Sequence, residues 1–336
     1  MTSTLLAGDI GGTKTLLSLY SWEGEAPQLR CSERFPSADW PDLGAMVVHF
    51  LERADVPPLA RPAAACFAVA GPVQGGQARL TNLDWRLSEA ELARECGIER
   101  VELVNDFAVL IHGLPHLRPE QLATVREGTA LAEEPLLILG AGTGLGVALG
   151  IPTATGLKAV ASEAAHGEFA PRSEAEWQLK VWLRQHLALE RVSIERVVSG
   201  TGLGHVARWL LASRDPQGRH PLSALAGAEG ADLPAAVAAA AGRGDPLAAE
   251  ALDLWLAAYG SVVGDLALAC LSGGGIWLAG GTAAKLLEGL RSRPFQEAFL
   301  AKGRLRKALE SMPIQAVIDP AVGPFSAAWR AVELLG

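Results

Sequence analysis

The chain has 336 residues, 49% of them hydrophobic and 20% charged, with a formal net charge of −8. That length and composition suit two compact lobes, each with a core of its own. The acidic balance excludes a general nucleic-acid surface, which needs a basic stripe.

The first element is the most informative. Leu5-Leu6-Ala7, the run Gly8-Asp9-Ile10-Gly11-Gly12-Thr13-Lys14 and Leu16 to Tyr20 read as a β-hairpin around a glycine turn. Glycine there permits left-handed backbone and lets amide N–H groups close on a ligand. Such a cluster of amides is an anion-binding concavity. The Asp9 carboxylate beside it suits a hydrated divalent cation. Amides for phosphates and an acid for Mg²⁺ together suggest a nucleoside triphosphate.

The chain then reads as a third strand over Gln28 to Phe35, a helix over Leu43 to Leu51 and a buried strand over Ala64 to Val69. A short strand at Gln77 to Leu80 and an N-capped helix over Ser88 to Cys96 follow. Thr81-Asn82-Leu83-Asp84-Trp85 between them is either a polar, aromatic ligand surface or a turn capped by a packed Trp. Val101 to Val104 is a strand stopping at Asn105-Asp106. A carboxylate at a strand end can accept the proton of an attacking hydroxyl. An Asx-type turn or helix cap is the competing reading.

Leu136 to Leu139, Gly140-Ala141-Gly142-Thr143-Gly144 and Leu145 to Ile151 repeat the plan of strand, glycine turn and strand. Two such copies suggest two related lobes. Ser162-Glu163-Ala164-Ala165-His166-Gly167-Glu168 carries acids and a His among small residues, suited to sugar hydroxyls. Metal ligation is its rival, although no Cys or further His stands nearby to complete a site. Glu195 is a third candidate sugar ligand or a surface acid paired with a neighbouring base.

Glu174 to Leu187 has helical spacing. Asp245-Pro246 opens a long helix toward Leu271, whose embedded Asp253, Tyr259 and Asp265 favour a buried helix over a membrane span. Ile276 to Ala279 is a strand followed by Gly280-Gly281, either a flat approach for adenosine or a plain turn into a helix. A strand over Ile314 to Ile318 and a helix over Phe325 to Leu335 end the chain, and that helix is expected to return to the first lobe. The lobe boundary is expected just after Asp106, giving a small lobe of residues 1–106 plus about 319–336 and a large lobe of residues 107–318. The four isolated cysteines and the lack of a basic-flanked leader fit a reducing, cytoplasmic compartment.

Taken in order, these motifs resemble those of the bacterial, hexokinase-like, ATP-dependent glucokinases, almost end to end. Leu6 to Thr13 looks like that family's first phosphate motif, and Gly140 to Gly146 its second. Leu103-Val104-Asn105-Asp106-Phe107 is similar to the segment bearing its catalytic aspartate. Glu163-Ala164-Ala165-His166 corresponds to a Glu-Gly-Gly-His sugar loop with both glycines replaced. Glu195 to Gly200 looks like the segment with the third sugar carboxylate, and Leu278 to Gly281 the adenosine motif.

The resemblance implies an α/β, two-lobed actin-like, ribonuclease-H-like ATPase fold with an interlobe cleft. It implies transfer of the γ-phosphoryl group of ATP to the 6-hydroxyl of D-glucose, feeding glycolysis, with Asp106 as general base. Asn105, Asp106, Glu163, His166 and Glu195 would hold glucose. Gly8, Asp9, Gly11, Gly12, Thr13, Gly142, Thr143, Gly144, Gly280 and Gly281 would bind ATP, with Asp9 holding Mg²⁺ through water. No zinc, nucleic acid or membrane partner is expected, and a homodimer is. The alanines at 164 and 165 are expected to narrow the sugar loop's backbone freedom, and Lys14 stands where relatives often carry Asn.

Overall fold

The computed structural model describes residues 3–54, 61–80, 83–154, 156–228 and 230–336. In chain order the strands of its first part are β1 (Ser3–Ile10), β2 (Lys14–Trp22), β3 (Gln28–Pro36), β4 (Ala64–Val69), β5 (Val73–Gln74), β6 (Gln77–Arg79), β7 (Arg86–Ser88) and β8 (Arg100–Asn105). Between them lie α1 (Leu43–Arg53) and α2 (Glu89–Cys96), and α3 (Leu110–Gly113) follows β8. The second part holds β9 (Leu122–Arg126), β10 (Leu136–Ala141), β11 (Leu145–Thr153) and β12 (Gly156–Ser162). Helices α4 (Glu174–His186), α5 (Gly200–Arg214), α6 (Pro221–Gly227), α7 (Leu233–Gly242) and α8 (Pro246–Cys270) come next. The chain closes with β13 (Gly275–Ala279), the short helices α9 (Gly281–Lys285), α10 (Leu287–Arg291), α11 (Arg293–Leu300) and α12 (Arg306–Glu310), β14 (Ile314–Val317) and α13 (Val322–Glu333).

Two compact units emerge: Met1–Arg118 with Thr155–Ala161 and Asp319–Gly336, and Pro119–Ala154 with Ser162–Ile318. The first unit runs on past Asp106 to Arg118 because α3 packs on α13. A Cβ built on Gly113 would lie 2.1 Å from Ser326 Oγ, so only glycine lets these helices approach this closely. His112 Nδ1 meets Glu333 Oε2 at 2.8 Å there, and the Arg330 guanidinium grips both Glu102 carboxylate oxygens on β8. The His116 ring also stacks on Trp329 at 3.4 Å.

The main sheets share one plan. The five-stranded sheet runs β3-β2-β1-β4-β8, and the six-stranded sheet runs β12-β11-β10-β13-β14-β9. In each, an antiparallel hairpin (β1–β2, β10–β11) leads into a parallel strand (β4, β13) and then another parallel strand (β8, β14). The repeat read from the two glycine turns is therefore a repeat of sheet topology. Parallel strands need both faces covered, and β4 accordingly reads as an unbroken buried run, Ala64 to Val69.

The first unit's core gathers Leu6, Ile10, Leu17, Phe50, Phe67 and Trp85. Trp85 is thus the packed Trp of the plainer reading, while Thr81 and Asn82 lie outside the described residues. The second unit's core is built around α8, whose Trp255 and Tyr259 are fully buried. Asp245 caps α8 by accepting from the Ala248 amide, with Pro246 at its first position. Ser88 departs from expectation. It occupies the cap position of α2 but its hydroxyl caps nothing, and the Glu89 amide instead donates to the Gly76 carbonyl.

Candidate active site

In the first unit the candidate residues gather at one edge of the sheet. Parallel pairing sets Ile10 opposite Val69, and Val69 opposite Asn105. The C-terminal ends of β1, β4 and β8 are therefore level, the edge at which open α/β sheets bind ligands. Asp9 and the Gly11–Thr13 turn leave from β1, and Asp106 from β8, with the Asp106 amide donating to the Val69 carbonyl at 3.0 Å.

Asn105 organises this edge. Its Oδ1 accepts from the Phe107 and Ala108 amides, and its Nδ2 donates to the Gly71 carbonyl and to Asp106 Oδ1, both at 3.1 Å. The Asx-type turn and the carboxylate-bearing site are thus the same feature: the turn holds Asp106. Asp9 is exposed at the turn, yet the protein mass around it raises its carboxyl pKa, while Arg34 pulls the other way. An acid held in that state gains from a cation.

The glycines of the first turn do different work from that expected. Gly11 is not left-handed; a Cβ there would lie 2.9 Å from the Lys14 carbonyl, so glycine closes the hairpin across the Gly11 N–H to Lys14 O bond. Gly8 sits within β1, and a Cβ there would strike Phe67 Cδ1 at 2.5 Å, so its lack of a side chain serves core packing. Among the described residues the Gly12 and Thr13 amides meet no acceptor. Amides left in this way can donate to an anion.

In the second unit, pairing of Gly140 with Ala279 brings the Gly142–Gly144 turn level with Gly280-Gly281. Gly280 is left-handed (φ +82°), and a Cβ on it would lie 3.2 Å from the Ala141 carbonyl. Gly142 and Gly144 are not left-handed. The turn carbonyls are tied back: Thr282 Oγ1 donates to Ala141, the Gly200 amide to Gly142 and Thr201 Oγ1 to Thr143, at 2.6, 2.7 and 2.8 Å. The Thr143 and Gly144 amides meet no acceptor among the described residues.

Gly142, Thr143, Gly281 and Thr282 border a cavity of about 580 Å³. Leu203, Pro234, Ala238 and Leu286 give it apolar walls, and Arg208, Asp232 and Lys285 give it charge. Gly200-Thr201 at the start of α5 lies in its lining, and Ser199 caps that helix on the Gly202 amide. A helix N-terminus beside free turn amides is a site for phosphate.

This wall of the cavity was missed in the sequence. Ser199-Gly200-Thr201-Gly202, a cap residue followed by small residues, and Asp232-Leu233-Pro234 are helix-start signals. They could have marked two further helix ends, α5 and α7, for this site.

The sugar-loop residues come together beside that turn. The Ala164–His166 and Ile194–Arg196 segments form adjacent 3₁₀ turns, joined by the Ile194 amide donating to the Gly167 carbonyl at 2.8 Å. Half-exposed Glu163 and His166 face each other at 3.6 Å. Glu195 Oε2 accepts from the Leu145 amide at 2.9 Å, linking the sugar-loop side to the second glycine turn. Ala164 and Ala165 sit in a 3₁₀ turn without left-handed backbone, and Ala165 is buried in the core. The replaced glycines therefore cost the loop no strain. Lys14 is exposed and begins β2.

Comparison with known proteins covers nearly the whole chain. The Glucokinase family profile matches residues 6–333. A glucokinase of Synechocystis sp. is 41% identical, over 98% of each chain.

The chain belongs to the glucokinase family.

The crystal structure of a glucokinase from an Antarctic psychrotroph is similar at a TM-score of 0.82 and 28% identity, over 98% of this chain and 99% of that one. A glucokinase of the ROK family from Streptomyces griseus, solved with glucose and AMPPNP, shares the fold at a TM-score of 0.64 and 19% identity, over 98% and 99% of the two chains. Membership makes this protein an ATP-dependent hexose kinase of the two-lobed actin-like α/β class.

Proposed function

We propose that this protein phosphorylates the 6-hydroxyl of D-glucose with ATP, and that Asp106 is the general base. The observation that carries the reading is the pair of glycine turns whose Gly12, Thr13, Thr143 and Gly144 amides meet no acceptor among the described residues. In each unit, two such donors side by side suit phosphate oxygens. The cavity of about 580 Å³ suits the adenosine moiety, with Gly281 along its edge and the α5 N-terminus toward the phosphates. The Streptomyces griseus relative carries glucose and AMPPNP, the same two ligand classes.

In this mechanism Asp106 accepts the proton of the 6-hydroxyl as its oxygen bonds to the γ-phosphorus and the bond to the ADP oxygen breaks. Asn105 keeps Asp106 oriented. Both its amide hydrogens are engaged, so direct contact with glucose requires it to give one up. Glu163, His166 and Glu195 hold the other hydroxyls, an arrangement that makes attack effectively intramolecular. Asp9, an acid whose pKa is raised by its surroundings, fits a hydrated Mg²⁺. The ion would supply charge neutralisation at the phosphates. The family resemblance supports the homodimer and the glycolytic role, and the four isolated cysteines support the cytoplasmic location.

Replacing Asp106 with Asn removes the base and keeps the shape. The expected loss in kcat is about 10²–10⁴-fold, with little change in the KM for glucose. A near-normal kcat refutes the assignment.

A further inference from the structure

The first glycine turn is held by a residue that none of the motifs marks. Ser37 follows β3 in a short 3₁₀ turn and is fully buried. Its hydroxyl donates to the Gly11 carbonyl at 2.8 Å, and its backbone amide donates to the Thr13 carbonyl at 3.0 Å. The carbonyl can only accept, so the single Ser37 hydroxyl hydrogen is committed to it. Thr15 Oγ1, also fully buried and 3.0 Å from Ser37 Oγ, is then the donor to Ser37. The result is a directed relay from Thr15 through Ser37 to Gly11.

A carbonyl oxygen is the negative end of the peptide dipole, and near a phosphate it repels where the neighbouring amide attracts. A turn of amides binds an anion only if its carbonyls are held aside. The second turn meets this requirement with Thr282, Gly200 and Thr201. In the first turn Ser37 ties back two carbonyls, those of Gly11 and Thr13, and among the described residues the Gly12 and Thr13 amides meet no acceptor.

We propose that Ser37 is a positioning residue for ATP, fixing the Gly11–Thr13 turn with its amides available to the phosphates. This rests on the reading of that turn as a phosphate site. Without the hydroxyl, the partly buried Gly11 carbonyl loses its donor and is driven to turn toward the ligand side, where water can reach it. The residue acts on phosphates only. It has no part in nucleoside or sugar recognition.

The test is calorimetry on the full chain with ATP, adenosine and glucose as separate titrants. Ser37→Ala is expected to weaken ATP about tenfold, an order of magnitude set by the cost of one unpaired, partly buried carbonyl. Adenosine and glucose affinities stay within about twofold on the same reasoning, since the turn touches neither. Ser37→Thr, which keeps the hydroxyl, restores most of the ATP affinity. Ser37→Cys preserves volume with a weaker donor, gives an intermediate loss and covers the case in which the alanine variant does not fold.

ATP affinity unchanged in Ser37→Ala overturns the proposal, as does equal weakening of all three ligands. Gly12→Ala, which adds a methyl group within the turn itself, separates loss of the phosphate site from loss of its Ser37 support. If that methyl leaves ATP binding intact, the turn is not a phosphate site and the role of Ser37 falls with it. If Gly12→Ala weakens ATP and Ser37→Ala does not, only the role of Ser37 is overturned.

Discussion

Gly8 and Gly142 stand in matching glycine motifs, yet their environments set opposite expectations for the same added methyl group. At Gly8 an ideal Cβ would lie 2.5 Å from Phe67 Cδ1, 3.0 Å from Ile10 Cδ1 and 3.2 Å from Leu17 Cδ2. All three neighbours are fully buried. Carbon atoms prefer separations of about 3.5–4.0 Å, so Phe67 must retreat by roughly 1 Å within a close-packed core. Overpacking of this kind costs about 1–3 kcal/mol, offset by roughly 0.5–1 kcal/mol from replacing glycine in a strand. A net loss of about 1–2 kcal/mol is expected for Gly8→Ala, with KM for ATP within about twofold of the parent. At Gly142 nothing lies within 4 Å of the ideal Cβ, and the backbone is not left-handed. Gly142→Ala therefore keeps its stability and instead projects a methyl group into the cavity, raising KM for ATP by about tenfold. Urea unfolding followed by tryptophan fluorescence, with initial-rate kinetics on the same preparations, reads both quantities. If Gly8→Ala keeps full stability and loses ATP affinity, the packing argument is wrong. If Gly142→Ala loses stability and keeps its KM, the cavity is not the nucleotide site.

Two further outcomes follow from side chains around the site and under α13. Gly144→Ala puts a methyl group 2.4 Å from Glu195 Oε2. Displacing that carboxylate from the Leu145 amide removes a charge-assisted hydrogen bond, so glucose affinity measured without ATP drops about tenfold; an unchanged Kd removes Glu195 from the sugar site. Glu333 is pushed up by burial, but the His112 and Arg330 partners outweigh this and leave its pKa below the usual glutamate value. A depressed carboxyl pKa stabilises the fold above the unfolded-state value and loses that contribution as pH falls through the folded one. The parent should thus lose stability more steeply than Glu333→Gln below about pH 4.5, by no more than about 1 kcal/mol because the carboxylate is partly exposed. Parallel stability profiles for the two proteins would remove Glu333 from the acid response.

Much of this site was legible before any coordinate was known, because its signals are local. A glycine-rich turn between two apolar runs can be seen in a window of a few residues, and so can an acid pair closing a strand. The repeat of the turn then foretold a repeat of sheet topology, since each hairpin begins the same order of strands. What stayed hidden is what arrives from elsewhere in the chain. Gly8 reads as a ligand glycine until Phe67 comes across from β4 to fill the space beside it. Gly200 and Thr201 look like the end of a sugar segment until their donors reach the Gly142 and Thr143 carbonyls. Ser37 has no signature, because donating to a carbonyl asks of the sequence only one small hydroxyl at the right place in space. A motif therefore names the atoms that touch a ligand, whereas the hydrogen bonds that hold those atoms come from residues whose types are common everywhere. On the role proposed for Ser37, the amides of Gly12 and Thr13 stay available to phosphate because the buried Thr15–Ser37 pair occupies the carbonyl of Gly11. A substitution in that buried pair can thus change nucleotide binding while every residue of the recognised motif stays intact.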